Sequence, residues 1–262
     1  MIRFPVGLIG MALATSVAAM QIPSNALAEL APSGRLRAGI NFGNALLTSK
    51  NAKGEPGGIA VDLARELAKR AGVPLEIVSY DSAGPTADGA KAGAWDVAFL
   101  GSDPARAGEI SFTAPYLEIE ATYLVPAGSP LRTIADVDRE GVRIAVSDKS
   151  AYDLYLTRSL KQAKLVRVPG PDASVDLFFK DKLEALAGLK TTLVEAAARQ
   201  PGSRVLDGRF TTVQQAIGTP KGRPAAAQYL HAFVEDVKAS GFVAKAIEKN
   251  GIRGVSVAPR GN

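Results

Sequence analysis

Residues 61–78, VDLARELAKRAGVPLEIV, carry the pattern that decides the fold. Apolar side chains recur at helical spacing from residue 61 to residue 71, charged side chains take the other face, and Gly72 stands where a helix would stop. Residues 75–78 predict a strand, and residues 35–40 predict another strand ahead of the helix. This order of strand, helix and strand is typical of an α/β unit with a mainly parallel sheet.

The same alternation continues along the chain. Residues 95–100 predict a third strand, and residues 114–125 form a long extended segment that ends in the run PAGSP at 126–130. The alternation then starts afresh, which indicates a second α/β unit. Its predicted strands are 142–146, 165–168 and 185–189, and its predicted helices are 150–161, 173–180 and 191–199.

A second extended stretch, 210–217, precedes a strongly amphipathic helix whose apolar side chains share one face between residues 226 and 237. If that helix covers the sheet of the first unit, the chain crosses twice between two lobes. The periodicity alone leaves open whether the chain returns.

The first 28 residues have the pattern of a secretory signal peptide. A positive start with Arg3 is followed by an apolar run at 6–20 and by the small-x-small sequence Ala26-Leu27-Ala28. The apolar run is too short to span a bilayer. We therefore expect an exported, periplasmic chain that begins at Glu29, the alternative being a buried N-terminal helix of the domain.

The amino-acid composition argues against several classes of site and partner. Without cysteine the chain has no disulfide, no thiolate nucleophile and no site for a lipid anchor on cysteine. The formal net charge is +5, but the basic residues are scattered, so a nucleic-acid partner is not expected. The single histidine, His231, lies in the amphipathic helix, and the chain has none of the common catalytic or nucleotide-binding motifs. We expect no metal and no cofactor.

Several blocks of the chain resemble family 3 solute-binding proteins, the polar amino-acid receptors of ABC importers. Residues 54–64, GEPGGIAVDLA, are similar to the family's glycine-rich signature, which ends in D-L-A. Residues 95–98, WDVA, and 106–116, RAGEISFTAPY, resemble the family block that runs from an arginine to P-Y. Residues 141–146, GVRIAV, resemble the start of its second unit. The similarity covers nearly the whole chain after the predicted signal peptide.

The resemblance implies a two-lobed type II periplasmic-binding-protein fold, in which two α/β lobes are joined by two extended hinge crossovers. We place the first lobe at 29–122 plus 214–262 and the second lobe at 123–213. Ligand would bind between the lobes, at the carboxyl ends of the parallel strands, and the hinge would close on it. The implied protein is a monomer that delivers its ligand to an ABC permease in the inner membrane.

The resemblance also implies that Arg106 grips the ligand's carboxylate. A guanidinium suits this role because its planar fork matches a carboxylate and keeps its charge. In the second lobe Ser147, Lys149 and Ser150 lie between a strand end and a helix start, where free N–H groups favour an anion. Ser150 is equally a candidate helix N-cap, with Asp153 three residues on.

Four polar residues at the ends of first-lobe strands are further candidates for ligand contact. Asn41 and Asn44 follow the first strand, and Ser102 and Asp103 follow the third. Each of them either touches the ligand or shapes a turn. Asp103 precedes Pro104 and could cap the turn that carries Arg106.

The chain departs from the family where amino-acid receptors hold the ligand's ammonium group. The expected acid at the end of the second-lobe strand is missing, and Lys190 is nearby. A cleft with Arg106, Lys149 and Lys190 favours an anion, so we expect a ligand with more than one carboxylate or with no ammonium group. Alternatively Glu118 or Glu120, which share one face of the first crossover strand, replaces the missing acid.

Two other functions fit the same fold. Cyclohexadienyl dehydratases resemble this family and grip a carboxylate with the equivalent arginine; such an enzyme needs a general acid, for which Glu118 is the nearest candidate. A soluble sensor would instead dock its closed form on a membrane histidine kinase. We expect a binding protein and not an enzyme, with transport ahead of sensing.

Overall fold

The computed structural model describes residues 21–261, so most of the predicted signal peptide lies outside the described residues. The helices are α1 (Ser24–Leu30), α2 (Ile59–Ala71), α3 (Ala83–Asp88), α4 (Ala151–Ser159), α5 (Pro171–Lys180), α6 (Lys190–Ala198), α7 (Pro224–Ala239) and α8 (Phe242–Lys249). The strands are β1 (Leu36–Asn41), β2 (Ser49–Lys50), β3 (Pro56–Gly57), β4 (Leu75–Tyr80), β5 (Val97–Gly101), β6 (Ile110–Phe112), β7 (Leu117–Val125), β8 (Arg143–Ser147), β9 (Lys164–Val168), β10 (Ala185–Leu189), β11 (Arg204–Val205), β12 (Thr211–Pro220) and β13 (Val255–Val257).

Parallel pairing builds both halves of the molecule. In the first half β1 pairs in parallel with β4 and with β5, and α2 ends at Gly72, whose positive φ of 67° suits glycine. In the second half β8 pairs in parallel with β9 and with β10. The predicted alternation of strands and helices is therefore confirmed in both units.

The two extended segments, β7 and β12, join the halves. They pair with each other in antiparallel fashion, β12 also pairs with β5, and β7 also pairs with β10. One sheet thus runs through the molecule in the order β4-β1-β5-β12-β7-β10-β8-β9. This is the predicted two-lobed type II periplasmic-binding-protein fold with two extended hinge crossovers.

Each half has its own hydrophobic core. In the first lobe Phe233 and Val237 of α7 pack in one cluster with Leu63 and Leu67 of α2. The chain therefore returns to the first unit, which the periodicity had left open. In the second lobe a separate cluster includes Val146. The boundaries at 122/123 and 213/214 fall inside β7 and β12 and remain a prediction.

Helix α1 packs on the first lobe. Ala26 and Leu30 are buried in the core cluster, and Glu29 accepts a 2.8 Å hydrogen bond from the backbone N–H of Ala226 in the first turn of α7. The predicted cleavage site after Ala28 lies within this helix. Cleavage there would remove Ala26 from the core. It would also remove the preceding turn of α1, which positions Leu30.

Within residues 21–261, no helix combines the length and the hydropathy that crossing a bilayer requires.

Candidate ligand-binding cleft

A cleft lies between the lobes, at the carboxyl ends of β1, β5, β8 and β10. Both lobes contribute lining residues: Asn41, Asn44, Leu47, Phe99, Gly101 and Arg106 from the first, and Ser147, Ser150, Tyr152, Leu186, Leu189 and Leu193 from the second. Val213 and Gln215 of the crossover strand β12 complete the wall. This position matches the one predicted from the carboxyl ends of the parallel strands.

Arg106 is the charged group at the centre of the site. It ends a short 3-10 turn that follows β5, and Asp103 caps this turn by accepting a 2.8 Å hydrogen bond from the N–H of Ala105. The Arg106 side chain donates to the carbonyl of Gly101 and, at 2.7 Å, to the carbonyl of Lys149 in the second lobe. The guanidinium therefore bridges the two lobes.

The Arg106 side chain is buried, with 6% of the residue exposed. In residues 21–261 no carboxylate lies within ion-pair distance of its guanidinium. Burial lowers the pKa of Arg106 to about 10, although the more distant negative charges of Asp103 and Asp88 raise it. The group keeps its positive charge at neutral pH, and two of its five N–H donors are used in the hydrogen bonds to Gly101 and Lys149.

The loop from Ser147 to Ser150 forms the opposite wall. Ser150 caps α4 by accepting a 3.1 Å hydrogen bond from the N–H of Asp153, which confirms the predicted cap. Lys149 has a φ of 51° and donates its own N–H to Asp153. Ser147 and Ser150 line the cleft, and the Lys149 side chain does not.

Asn41 and Asn44 line the first-lobe wall and also shape its turns. The Asn41 side-chain oxygen accepts from the N–H of Gly43 at 2.9 Å, and the Asn44 oxygen accepts from the N–H of Leu46 at 3.3 Å. Because these bonds use the amide oxygens, the amide NH2 groups remain available to donate hydrogen bonds into the cleft. Asn41 and Asn44 can therefore both shape a turn and contact a ligand, the two roles between which the sequence did not decide.

Two ion pairs connect the lobes outside the cleft lining. Arg158 of α4 binds both carboxylate oxygens of Asp103, each at 2.8 Å. Lys149 binds Asp88 at the end of α3 at a distance of 2.9 Å, and both side chains are more than half exposed. Asp103 and Lys149 thus hold the lobes together, and neither side chain lines the cleft.

The remaining predicted site residues lie elsewhere. Glu118 and Lys190 line a second, more open pocket together with Glu120, which accepts 2.8 Å hydrogen bonds from Lys190 and from Arg209. Hydrogen bonds from these two cationic side chains hold the pKa of Glu120 below its usual value. Ser102 donates its hydroxyl to the carbonyl of Gln214. The structure therefore does not bring Glu118, Lys190 or Ser102 together with Arg106.

This arrangement corrects the expected charge of the cleft. The anion hypothesis counted Lys149 and Lys190 beside Arg106, but each lysine is held by an acid, Asp88 and Glu120 respectively. Arg106 is the one buried charge among the described lining residues. The other charged lining residues, Asp172, Glu195 and Arg199, are exposed.

Sequence reasoning missed the apolar wall and one close approach of the lobes. A side chain at Gly101 would place its Cβ 2.8 Å from the Cβ of Ala151 in the second lobe. Glycine is therefore required there for this closed arrangement. In the sequence, the only sign of this close approach is a glycine at the end of a predicted strand. In residues 21–261, no group of three or more metal-ligating side chains converges on a site.

Residues 36–251 match the family of bacterial extracellular solute-binding proteins, family 3. The chain therefore belongs to this family. No curated protein sequence matches it significantly.

Solved structures of similar fold are binding proteins for the most part. A mutant of ArgBP from T. maritima is 22% identical, with a TM-score of 0.73 over 87% of this chain and 100% of its own. The solute receptor for L-cysteine of Neisseria gonorrhoeae is 22% identical, with a TM-score of 0.74 over 86% of this chain and 92% of its own. An ancestral amino acid-binding protein, described as a precursor of cyclohexadienyl dehydratase, is 21% identical, with a TM-score of 0.71 over 85% of this chain and 97% of its own. At these identities the likeness supports the fold.

Proposed function

We propose that this protein is the periplasmic receptor of an ABC importer and binds a small carboxylate-bearing solute in the cleft between its lobes. The observation that carries the proposal is the buried Arg106 guanidinium, which lies between the lobes and has no carboxylate partner in residues 21–261. A buried charge is costly unless it is paired, so a carboxylate that enters the cleft gains a partner already in place.

The neighbouring polar groups complete the carboxylate site. Ser147 and Ser150 line the cleft from the second lobe, and Asn41 and Asn44 line it from the first. A ligand bound to both walls favours the closed form, because only that form offers all of these contacts at once. The closed form is the one that docks on the permease.

The same geometry supports a binding protein in preference to an enzyme. A cyclohexadienyl dehydratase would need a general acid beside the substrate, and Glu118, the acid suggested for that role, lines the other pocket. We therefore expect purified protein to leave prephenate unchanged. Formation of phenylpyruvate in proportion to protein concentration would instead establish the enzyme.

The proposal is tested by thermal unfolding of the purified protein with amino acids, dicarboxylates and other organic acids. A ligand at a hundredfold excess over its Kd stabilises the folded state by about 2.7 kcal/mol, which raises the Tm of a chain of this size by roughly 5 to 10 °C. In the variant Arg106→Gln the shift should disappear.

The matched control is Arg35→Gln, since Arg35 is an exposed arginine paired with Glu76 far from the cleft. This variant should keep the full shift. If Arg106→Gln kept it as well, Arg106 would not be the carboxylate-binding group.

A further inference from the structure

Among residues 21–261, the lining of the cleft offers one buried positive charge and no buried negative one. Besides Arg106, the buried lining residues include Ser147, Ser150 and Gln215, which are polar but uncharged. The acids in the lining, Asp172 and Glu195, are exposed to solvent on α5 and α6. A buried ammonium group needs a partner as much as a buried carboxylate does. The ammonium group of a zwitterionic ligand would therefore lack a buried, negatively charged partner in the described part of this cleft.

A second carboxylate would also lack a partner. Lys149 and Lys190 are bound to Asp88 and Glu120, outside the cleft lining. Arg199 is exposed at the edge of the cleft, where solvent screens its charge. Deep in the cleft, the described residues thus supply charge for one carboxylate.

Several buried residues of the wall are apolar. Leu47 and Phe99 of the first lobe, Leu186 and Leu193 of the second, and Val213 of β12 are all buried and line the cleft. Pockets of this kind take up apolar groups and use a few polar groups to fix the ligand's orientation. Each methylene buried against such a wall favours binding, whereas a polar substituent there loses its water.

We propose that the ligand is a monocarboxylate with an apolar body and no ammonium group, such as a branched-chain or aromatic 2-oxo acid or its reduced counterpart. This inference rests on the proposed function, since it assumes that Arg106 binds the carboxylate. The 2-oxo or 2-hydroxy oxygen would find donors in the amide groups of Asn41 and Asn44.

The test compares ligands that differ in one group. Calorimetric titration of the purified protein uses L-leucine, 4-methyl-2-oxopentanoate, 4-methylpentanoate and 2-oxoglutarate, and then L-phenylalanine with phenylpyruvate. At least one acid without an ammonium group should bind ten times more tightly than its matched amino acid, and also more tightly than 2-oxoglutarate. The Arg106→Gln variant should lose this binding, and Arg35→Gln should keep it.

The outcomes separate this inference from the proposed function. If an amino acid or 2-oxoglutarate binds most tightly and Arg106→Gln abolishes that binding, the proposed function survives and the inference about ligand class is wrong. If binding of any probe persists in Arg106→Gln, or if none of the probes binds, both are contradicted.

Discussion

Arg158 donates one hydrogen bond to each carboxylate oxygen of Asp103, at 2.8 Å in both cases, across the opening between the lobes. The Asp103 side chain is 5% exposed and that of Arg158 is 44% exposed. Asp103 also caps the turn that carries Arg106. One carboxylate therefore caps the turn that carries Arg106 and also binds the first lobe to the second.

Replacing Asp103 by Asn should weaken ligand binding while leaving the fold intact. Asparagine keeps an oxygen to cap the turn, but it loses the charge that binds Arg158. Because Arg158 is partly exposed, we expect a loss of about 1 kcal/mol, or roughly fivefold in Kd. Isothermal titration with the best ligand measures the loss.

The matched control for this experiment is Asp88→Asn. It breaks the other ion pair between the lobes, whose side chains are 54% and 65% exposed. Exposed pairs contribute little, so its Kd should change less than about twofold. Equal effects of the two variants would show that the pair of Asp103 and Arg158 has no special role in closure.

The mature chain should begin before α1, not at Glu29. A chain that begins at Gln21 keeps the whole helix, whereas one that begins at Glu29 loses Ala26 and the turn that positions Leu30. Loss of this apolar burial should destabilise the shorter chain by about 2 kcal/mol. Urea unfolding measures the difference through Trp95, the single tryptophan, which is fully buried.

Equal stability of the two chains would contradict this prediction. The intact mass of the exported protein provides an independent check, since cleavage after Ala28 would give a chain starting at Glu29.

Glu120 should contribute stability that acid removes. Its folded-state pKa lies below the usual 4.5 because Lys190 and Arg209 donate hydrogen bonds to its carboxylate. A carboxyl with a depressed pKa stabilises the fold above the unfolded pKa, and this contribution is lost as the pH falls through the folded pKa. The variant Glu120→Gln should therefore be less stable than the wild type at pH 7, with a smaller difference at pH 3. A constant difference between the two pH values would contradict this account.

Much of the fold could be predicted because local pattern determines it. Strand β10 has the predicted bounds of 185–189, and α7 follows from its apolar face. Helix α3 was missed because Gly84 and Pro85 hide the helical pattern in a six-residue element. Helix α1 was assigned to the signal peptide because small apolar residues suit a cleavage site and a buried helix equally well.

The site was harder to predict because its contacts depend on closure. The position of Arg106 followed from the resemblance. Its carbonyl partner, Lys149, lies 43 residues away in sequence, and Arg158 lies 55 residues from Asp103. No local pattern brings such residues together. For the same reason sequence could not show that Lys149 and Lys190 are held by acids outside the cleft.

A crystal structure of the protein with its tightest-binding carboxylic acid tests the central claim most directly. The account predicts that a carboxylate oxygen of the ligand lies within about 3 Å of the Arg106 guanidinium, between the two lobes, with Asp103 bound to Arg158. A ligand bound in the pocket of Glu118, Glu120 and Lys190, or in the cleft with its carboxylate turned away from Arg106, would contradict it.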